Sequence, residues 1–332
     1  MRTTTVGVLG AGRIGRIHTE NLFQMPGVRV KSIADPYADF SSWPPDNVAT
    51  GLEPELVLND PEIEAVLICS PTPTHAPFTE AAARAGKHIF CEKPVDLDPD
   101  RIRQTLAVVE AAGVKMQVGF NRRFDPTFAR VRKAVTDGDI GDVQIVKITS
   151  RDPEAPPVSY VETSGGIFLD MTIHDFDMVR FITGSEVEEV HAMGAVLIDP
   201  AIGEAGDVDT AVTTLKMANG ALAVIENSRQ AVYGYDQRVE VFGSRGSAEA
   251  GNETANRVTF SGKDGVRSDN PLYFFLERYQ VSFQAELEAF LASIRDDRDP
   301  PVGGRDGLMS VLVALAAARS MAENRPMKVE AS

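Results

Sequence analysis

The sequence contains very little cysteine, with two such residues and one tryptophan among 332 residues. Cys69 and Cys91 each lie near the end of an apolar run, and neither has a second thiol close by in the sequence. This spacing argues against a disulfide framework and a thiolate metal cluster. We therefore expect two buried, reduced thiols in a cytosolic protein, and no metal site.

Long apolar runs and excess positive charge are also missing. No segment approaches the roughly 20 apolar residues of a membrane helix, and the N-terminus lacks the basic and apolar stretches of an export signal. Lysine and arginine total 33 against 48 acidic residues, so the formal net charge is −15. Such a chain repels phosphate backbones and anionic lipids, and we expect neither nucleic acid nor a membrane as its partner.

What is present fits a globular protein of two domains. The hydrophobic fraction is 43% and the charged fraction 24%, and the length exceeds what one core usually serves. Strands and helices alternate as far as residue 118, which predicts an α/β doubly wound parallel sheet. Later strands lack intervening helices, which predicts an α+β domain with a large open, mainly antiparallel sheet. The expected boundaries are 1–120 and 121–332.

A glycine-rich turn follows the first predicted strand and opens the first predicted helix. Gly10, Gly12 and Gly15 fit the spacing of a Rossmann dinucleotide-binding loop. In such loops the first glycine permits a tight turn, the second lets the backbone approach a pyrophosphate, and the third allows close helix packing. We expect this loop, including Arg13 and Ile14, to bind the cofactor.

Asp35 ends the second predicted strand, where a carboxylate can accept hydrogen bonds from the ribose hydroxyls of NAD. A 2′-phosphate would meet like charge there, and Pro36 and Tyr37 offer no compensating cation. This favours NAD over NADP. The segment from Pro36 to Thr50 breaks the helical pattern with prolines, and we interpret Trp43 as the anchor of that loop.

Two further segments carry candidate catalytic groups. Glu92, Lys93 and Pro94 follow a strand at the edge where open α/β sheets bind ligands, so Lys93 is expected to point toward the nicotinamide end of the cofactor. A helix starting at about Asp170 would place Asp170, His174 and Asp177 on one face. Burying so polar a helix face would be costly, and a position facing a substrate cleft would explain its polarity.

Histidine is the natural candidate for the catalytic base. The unperturbed pKa of an imidazole lies near neutrality, and carboxylates flank His174, which makes it the best base among the five histidines. His75 follows another strand end and is expected to line the cofactor cleft. His18 and His191 are interpreted as structural residues.

These motifs resemble the glucose-fructose oxidoreductase, inositol dehydrogenase and rhizopine-catabolism (Gfo/Idh/MocA) family, and the resemblance covers nearly the whole chain. It is strongest toward the inositol dehydrogenases of that family. The segments that carry this closer resemblance are 119–125, 151–153, 170–177 and 227–236. The short region around Trp43 departs from the family pattern.

The resemblance implies NAD-dependent oxidation of a ring polyol, with myo-inositol the leading substrate and 2-keto-myo-inositol (scyllo-inosose) the product. It implies that Lys93, Asp170 and His174 are catalytic, although Lys93 and His174 can exchange roles as proton acceptor. It also implies a homotetramer assembled sheet to sheet. Further residues expected to bind cofactor are Ser70, Thr72, His75, Glu92, Lys93 and Arg122, and those expected to bind substrate are Lys93, Arg122, Asp152, Asp170, His174, Asp177 and Tyr233.

Two alternatives stay open. One is a dehydrogenase of another inositol isomer or a sugar, because only the pocket distinguishes these substrates. The other is a catalytically silent NAD-binding regulator, since a fold does not fix a function. The joint presence of Lys93, Asp170 and His174 argues against the regulator.

Overall fold

A computed structural model describes residues 2–330 of the chain. The chain divides into two compact units. The first contains the chain as far as Phe124 together with Val281–Val311, and the second contains Asp125–Gln280 and the chain from Leu312 onward. No helix within the described residues is both long and apolar enough to span a bilayer.

The first unit is built on a six-stranded parallel sheet of order β3-β2-β1-β4-β5-β6. Its chain path reverses direction across the sheet between β1 and β4, the point at which doubly wound sheets bind ligands. The central strands are fully buried, since both faces are covered. The strands are β1 (Thr4–Leu9), β2 (Val28–Ala34), β3 (Ala49–Gly51), β4 (Ala65–Ile68), β5 (His88–Cys91) and β6 (Met116–Val118).

Helices connect most of these strands, as the sequence predicts. The exception is the connection from β2 to β3, where the proline-rich segment forms no helix. Trp43 anchors this loop: it packs against the core of the first unit, its Nε1 donates to Glu20, and the guanidinium of Arg16 lies 4.9 Å from its ring centroid. The helices are α1 (Arg13–Gln24), α2 (Glu55–Leu58), α3 (His75–Arg84) and α4 (Pro99–Ala112).

A late segment of the chain completes the first unit. Helix α11 (Gln280–Arg295) buries Leu287, Phe290 and Leu291 in the same apolar cluster as strand residues such as Val6. The predicted second domain, residues 121–332, includes this segment, whereas in the structure Val281–Val311 belongs to the first unit. The apolar stripe of α11 predicts that the helix packs against other elements, but the sequence does not show which of the two sheets it packs against.

The second unit contains a seven-stranded sheet of order β12-β11-β7-β10-β9-β8-β15. All neighbouring pairs are antiparallel except β7 and β10, which run parallel. The predicted hairpin at residues 218–220 joins β9 to β10. The strands are β7 (Val143–Arg151), β8 (Val187–Ala195), β9 (Thr210–Met217), β10 (Leu222–Ser228), β11 (Asp236–Gly243), β12 (Gly246–Ala250) and β15 (Met327–Lys328).

One face of this sheet is buried and the other is open within the chain. Burial alternates along β9, β10 and β11, as expected for strands covered on one side. On the open face, Ile145, Leu222 and Phe242 form a row across three neighbouring strands. They are 44%, 53% and 46% exposed. These three residues are called the apolar row below.

The remaining elements of the second unit are short helices and an exposed hairpin formed by β13 (Thr259–Gly262) and β14 (Gly265–Ser268). The last helix, α12 (Gly304–Glu323), begins in the first unit and ends in the second. The other helices are α5 (Pro126–Thr136), α6 (Val158–Ser164), α7 (Gly166–Asp170), α8 (Ile173–Thr183), α9 (Pro200–Glu204) and α10 (Phe275–Arg278).

Candidate active site

The glycine loop connects β1 to α1 in the first unit. Gly10 has φ +98°, and a Cβ at this position would lie 2.5 Å from the backbone nitrogen of Ser70. A Cβ at Gly15 would lie 2.0 Å from the carbonyl oxygen of Gly10. At both positions the chain itself therefore requires glycine.

Gly12 differs from its neighbours in the loop, because a Cβ built there would meet no atom within 4 Å. Gly12 is exposed and caps the N-terminus of α1, whose first turn contains no acidic residue. The positive end of a helix dipole, with open space beside it, suits a pyrophosphate. The loop therefore fits NAD, and Arg13 and Ile14 lie in the first turn of the same helix.

Asp35 directly follows β2 and contacts the glycine loop. Its Oδ2 accepts a hydrogen bond from the Ala11 N–H at 2.7 Å, and its Oδ1 accepts one from the Tyr37 N–H at 2.8 Å. An ionised carboxylate has about four acceptor positions, so both oxygens retain capacity for ribose hydroxyls. The contact with Ala11 ties the ribose-binding candidate to the pyrophosphate loop.

The ends of β4 and β5 bring more of the expected cofactor residues together. Ser70 follows β4, and its hydroxyl lies 2.6 Å from that of Thr74. Thr72 begins a 3₁₀ turn of residues 72–74 that leads into α3. His75, the first residue of α3, is buried, with its Nε2 2.6 Å from the Ser70 carbonyl oxygen. His75 thus contacts the backbone just beyond the end of β4.

Lys93 lies two residues beyond the end of β5 and is partly buried. The preceding Glu92 directs its carboxylate toward α1, where it lies 2.7 Å from His18 Nε2. The peptide bond from Lys93 to Pro94 is cis. Arg122, also expected to bind cofactor and substrate, lies in a 3₁₀ turn of residues 121–124 and is buried.

The second unit corrects one local prediction. Asp170 and His174 do not share a continuous helix, because α7 ends at Asp170 and α8 begins at Ile173. The N–H groups of Met171 and Thr172 both donate to the carbonyl of Ile167, which interrupts the regular helical ladder. Only His174 and Asp177, three residues apart in α8, keep the predicted helical relationship.

Asp170 makes two contacts that the sequence did not indicate. Tyr160 donates its hydroxyl to Asp170 Oδ1 at 2.7 Å, and Arg229 Nη1 lies 3.2 Å from Asp170 Oδ2. The second guanidinium branch, Nη2, lies 3.3 Å from Asp207 Oδ2. Desolvation of the phenol oxygen and the negative charge of Asp170 raise the pKa of Tyr160, so the phenol stays a neutral donor.

The other expected substrate residues of the second unit have local partners as well. Tyr233 donates to Asp236 Oδ2 at 2.6 Å and accepts from Arg151 Nη1 at 2.9 Å. Asp152 follows β7; its N–H donates to the carbonyl of Ser228, the last residue of β10, and its carbonyl accepts from the N–H of Ala231. Asp177 is buried on α8. The contacts of Tyr233 and Asp152 thus lie around the ends of β7 and β10.

One cluster of potential metal ligands occurs among residues 2–330. It consists of His18, Glu92 and Glu286, whose ligand atoms lie within 4.8 Å of one another. Glu286 is fully buried on α11, and burial together with the charge of Glu92 raises its pKa well above the ordinary value. Sequence spacing did not reveal the cluster, because its members come from three distant segments.

The parallel sheet, the glycine loop and Asp35 define an NAD-binding Rossmann domain. Family models agree: residues 4–120 match an oxidoreductase family with an NAD-binding Rossmann fold, and residues 128–249 match a GFO/IDH/MocA C-terminal domain. The chain belongs to the Gfo/Idh/MocA oxidoreductase family, as the sequence motifs predict.

Individual relatives extend over nearly the full chain. An uncharacterized oxidoreductase of Bacillus subtilis is 50% identical over 98% of this chain and 96% of its own length. A myo-inositol 2-dehydrogenase of Thermotoga maritima is 47% identical over 98% of both chains. The crystal structure of a Lactobacillus casei scyllo-inositol dehydrogenase with NAD(H) and scyllo-inositol has a TM-score of 0.92 at 31% identity, covering 99% of each chain.

Proposed function

We propose that this oxidoreductase uses NAD to oxidise a secondary hydroxyl of a ring polyol, converting myo-inositol to 2-keto-myo-inositol. The observation that carries the proposal is the 47% identity to a myo-inositol 2-dehydrogenase over 98% of both chains. The glycine loop supports it, because the open space at Gly12 suits a dinucleotide.

The proposed catalytic residues are Lys93, Asp170 and His174. His174 accepts the proton of the reacting hydroxyl while the hydrogen on the same carbon leaves with its electron pair, and a carbonyl forms. NAD, when bound, supplies the hydride acceptor. Lys93 stabilises the negative charge that develops on the substrate oxygen, and Asp170 orients His174 and stabilises its charged form.

Further residues are proposed to bind the two ligands. Several polar side chains suit a ring polyol, because every buried hydroxyl needs a hydrogen-bond partner. The proposed cofactor residues are Gly10, Gly12, Arg13, Ile14, Gly15, Asp35, Ser70, Thr72, His75, Glu92, Lys93 and Arg122. The proposed substrate residues are Lys93, Arg122, Asp152, Asp170, His174, Asp177 and Tyr233.

A second candidate substrate is scyllo-inositol, favoured by the likeness to the Lactobacillus casei dehydrogenase whose structure contains it. The two isomers differ in the orientation of one ring hydroxyl. The same catalytic groups serve either isomer, and the choice depends on the hydrogen bonds that each hydroxyl makes.

The open face of the second sheet is proposed to bury itself against another copy of the chain in a homotetramer. The apolar row supports this, because side chains this apolar rarely stay exposed on a regular sheet. The cytoplasm is the proposed location, where the free thiols Cys69 and Cys91 stay reduced.

The decisive experiment incubates the enzyme with a panel of inositol isomers and aldoses, each with NAD and with NADP, and follows nicotinamide absorbance. Oxidation of myo-inositol with NAD, giving a product with the mass of an inosose, supports the proposal. If the enzyme prefers scyllo-inositol or a hexose, that compound replaces myo-inositol as the assigned substrate. If the enzyme prefers NADP, the proposed role of Asp35 is wrong. Binding of NAD without turnover of any polyol establishes the regulator.

Replacing the proposed catalytic lysine tests the mechanism. Lys93→Ala should abolish NADH production and leave NAD binding intact, while Lys263→Ala, on the exposed β13–β14 hairpin, should behave like the wild type. Most of the activity persisting in Lys93→Ala would remove this residue from the mechanism.

A further inference from the structure

Two buried histidines hold the residues on either side of Lys93. His18 lies on α1 and is 0% exposed, and His75 begins α3 and is 2% exposed. Both belong to the first unit, as does Lys93. Burying a polar ring costs less where the ring finds hydrogen-bond partners. His18 contacts Glu92 through its Nε2, and His75 contacts the Pro94 carbonyl through its Nδ1.

His18 fixes the residue that precedes Lys93. Its Nε2 lies 2.7 Å from Glu92 Oε1, and its ring makes edge-on contacts with Phe90 and Phe283 at centroid distances of 5.1 and 5.7 Å. These aromatic contacts leave the imidazole little freedom to rotate. The Glu92 carboxylate is therefore bound to an imidazole that is itself fixed in place.

Gly119 also lies against the Glu92 carboxylate. A Cβ at Gly119 would lie 3.0 Å from Glu92 Oε2 and 3.1 Å from its Cδ, tighter than ordinary contact. The N–H of Gly119 also donates to the carbonyl of Cys91 at 2.8 Å, so this backbone is itself fixed. The carboxylate thus lies close against the Gly119 backbone as well as at hydrogen-bond distance from His18.

His75 fixes the residue that follows Lys93. Its Nδ1 lies 2.7 Å from the carbonyl oxygen of Pro94, and its Nε2 lies 2.6 Å from the carbonyl oxygen of Ser70. Carbonyl oxygens only accept hydrogen bonds, so the ring donates to at least one of them. The imidazole thereby braces the segment after β5 against the end of β4.

We propose that His18 and His75 are positioning residues that fix Lys93 from both sides. This inference rests on the proposed function, in which Lys93 is catalytic. Lys93 has a long, flexible side chain, and its ammonium acts only where its stem is aimed correctly. Holding the Glu92 side chain and the Pro94 carbonyl limits the backbone rotations that would swing this stem. A misplacement of about 1 Å at such a group costs about a hundredfold in rate.

A bound cation is the competing explanation for the His18, Glu92 and Glu286 cluster. Glu286 Oε1 lies 3.9 Å from His18 Nε2, and the three side chains are 0%, 15% and 0% exposed. His18 already has a partner in Glu92 at hydrogen-bond distance. This direct contact favours a hydrogen-bonded support over a metal centre.

The test compares His18→Leu and His75→Leu with His88→Leu as the matched control. His88 begins β5, the strand whose far end leads to Lys93, and accepts a hydrogen bond from the Lys115 N–H at 3.0 Å. Steady-state kinetics, NAD affinity and the isotope effect with inositol deuterated at the oxidised carbon are measured. His18→Gln and His75→Gln keep one N–H donor and cover the case in which the leucine variants fail to fold.

We expect kcat to fall at least about tenfold in both leucine variants, with an enlarged isotope effect, because poor placement slows the chemical step. The KM for inositol should stay within about twofold in both leucine variants, and so should the affinity of His18→Leu for NAD. The glutamine variants should recover part of kcat. His88→Leu should match the wild type.

Normal kcat in His18→Leu and His75→Leu, or a loss confined to NAD affinity, overturns the inference. So does one zinc ion per chain in elemental analysis of the purified enzyme. An inactive wild type, or an active Lys93→Ala, is instead a failure of the proposed function and is recognised before the histidine variants are made.

Discussion

Arg229 bridges Asp170 to Asp207, with its Nη1 3.2 Å from the first carboxylate and its Nη2 3.3 Å from the second. The arginine is 1% exposed, so its charge depends on these two partners rather than on water. Removing one partner of a buried ion pair is far more costly than the pair is stabilising, because the remaining charge loses its compensation.

Arg229→Met should therefore lower the free energy of unfolding by about 3–5 kcal/mol. Urea denaturation measures this change. Arg319→Met, which breaks an exposed pair with Glu323 in the same unit, should change it by less than about 1 kcal/mol. Equal effects of the two substitutions would contradict the bridging role of Arg229.

Tyr160→Phe should lower kcat by about 10- to 100-fold, because a hydrogen bond to a charged group contributes about 1.5–3 kcal/mol. The phenol donates to Asp170 at 2.7 Å, and its raised pKa keeps it protonated through the neutral range. Kinetics at saturating NAD measure the change. Tyr37→Phe, at an exposed position in the first unit, is the control. A Tyr160→Phe enzyme with wild-type kcat would exclude a role for this contact.

The glycines of the loop should separate into two classes. Gly10→Ala should destabilise the protein by about 1–3 kcal/mol, because its φ is +98° and a Cβ would press on Ser70. Gly12→Ala should keep the wild-type melting temperature without ligand and lose NAD affinity, since only the pyrophosphate would meet the added methyl group. Thermal shift with and without NAD gives the melting temperatures, and calorimetric titration gives the NAD affinity. If the Gly12→Ala protein binds NAD with normal affinity, the assignment of Gly12 to the pyrophosphate site is wrong.

Glu286→Gln should flatten the dependence of stability on pH. Neither carboxyl oxygen of Glu286 has a hydrogen-bond partner among residues 2–330, and burial raises its pKa above the ordinary 4.5. The folded state then binds more protons than the unfolded state, so stability falls as pH rises above about 4.5 toward the folded pKa. Glutamine removes this loss.

Urea denaturation from pH 4.5 upward measures the effect. The exposed Glu288→Gln on the same helix should keep the wild-type slope. If Glu286→Gln keeps that slope as well, Glu286 is ionised with an unseen partner.

Phe242→Glu should break the proposed tetramer. The substitution puts a charge into the apolar row beside Ile145, where a partner sheet would have to desolvate it. Light scattering after size exclusion, at one protein concentration, gives the mass. Phe260→Glu, on the exposed β13–β14 hairpin, should leave the assembly unchanged. A wild-type chain that runs as a monomer would refute the interface.

The sequence predicts the features that depend on local pattern. The parallel strands, the glycine loop and the hairpin at residues 218–220 follow from periodicity and turn chemistry, and the structure has all of them. The interruption after Asp170 was not predictable, because it depends on two N–H groups sharing the Ile167 carbonyl.

Contacts between distant segments were also out of reach. Arg229 follows a strand like many surface arginines, and nothing in its neighbours reveals that it pairs with Asp170, 59 residues earlier. The partner of His18 lies 74 residues away, and Glu286 reaches the same cluster from α11. Neither residue composition nor hydrophobic periodicity reveals such pairings, since they depend on how helices and strands pack in the fold.

The contribution of α11 to the first unit has a consequence for biosynthesis. A ribosome makes the six parallel strands first, but Leu287, Phe290 and Leu291 emerge only after the whole second sheet has been translated, apart from its last short strand. Domains encoded by one continuous segment can fold while the rest is still being made. Here the nascent dinucleotide-binding unit has to wait with part of its apolar core uncovered, a period in which chaperones can bind it.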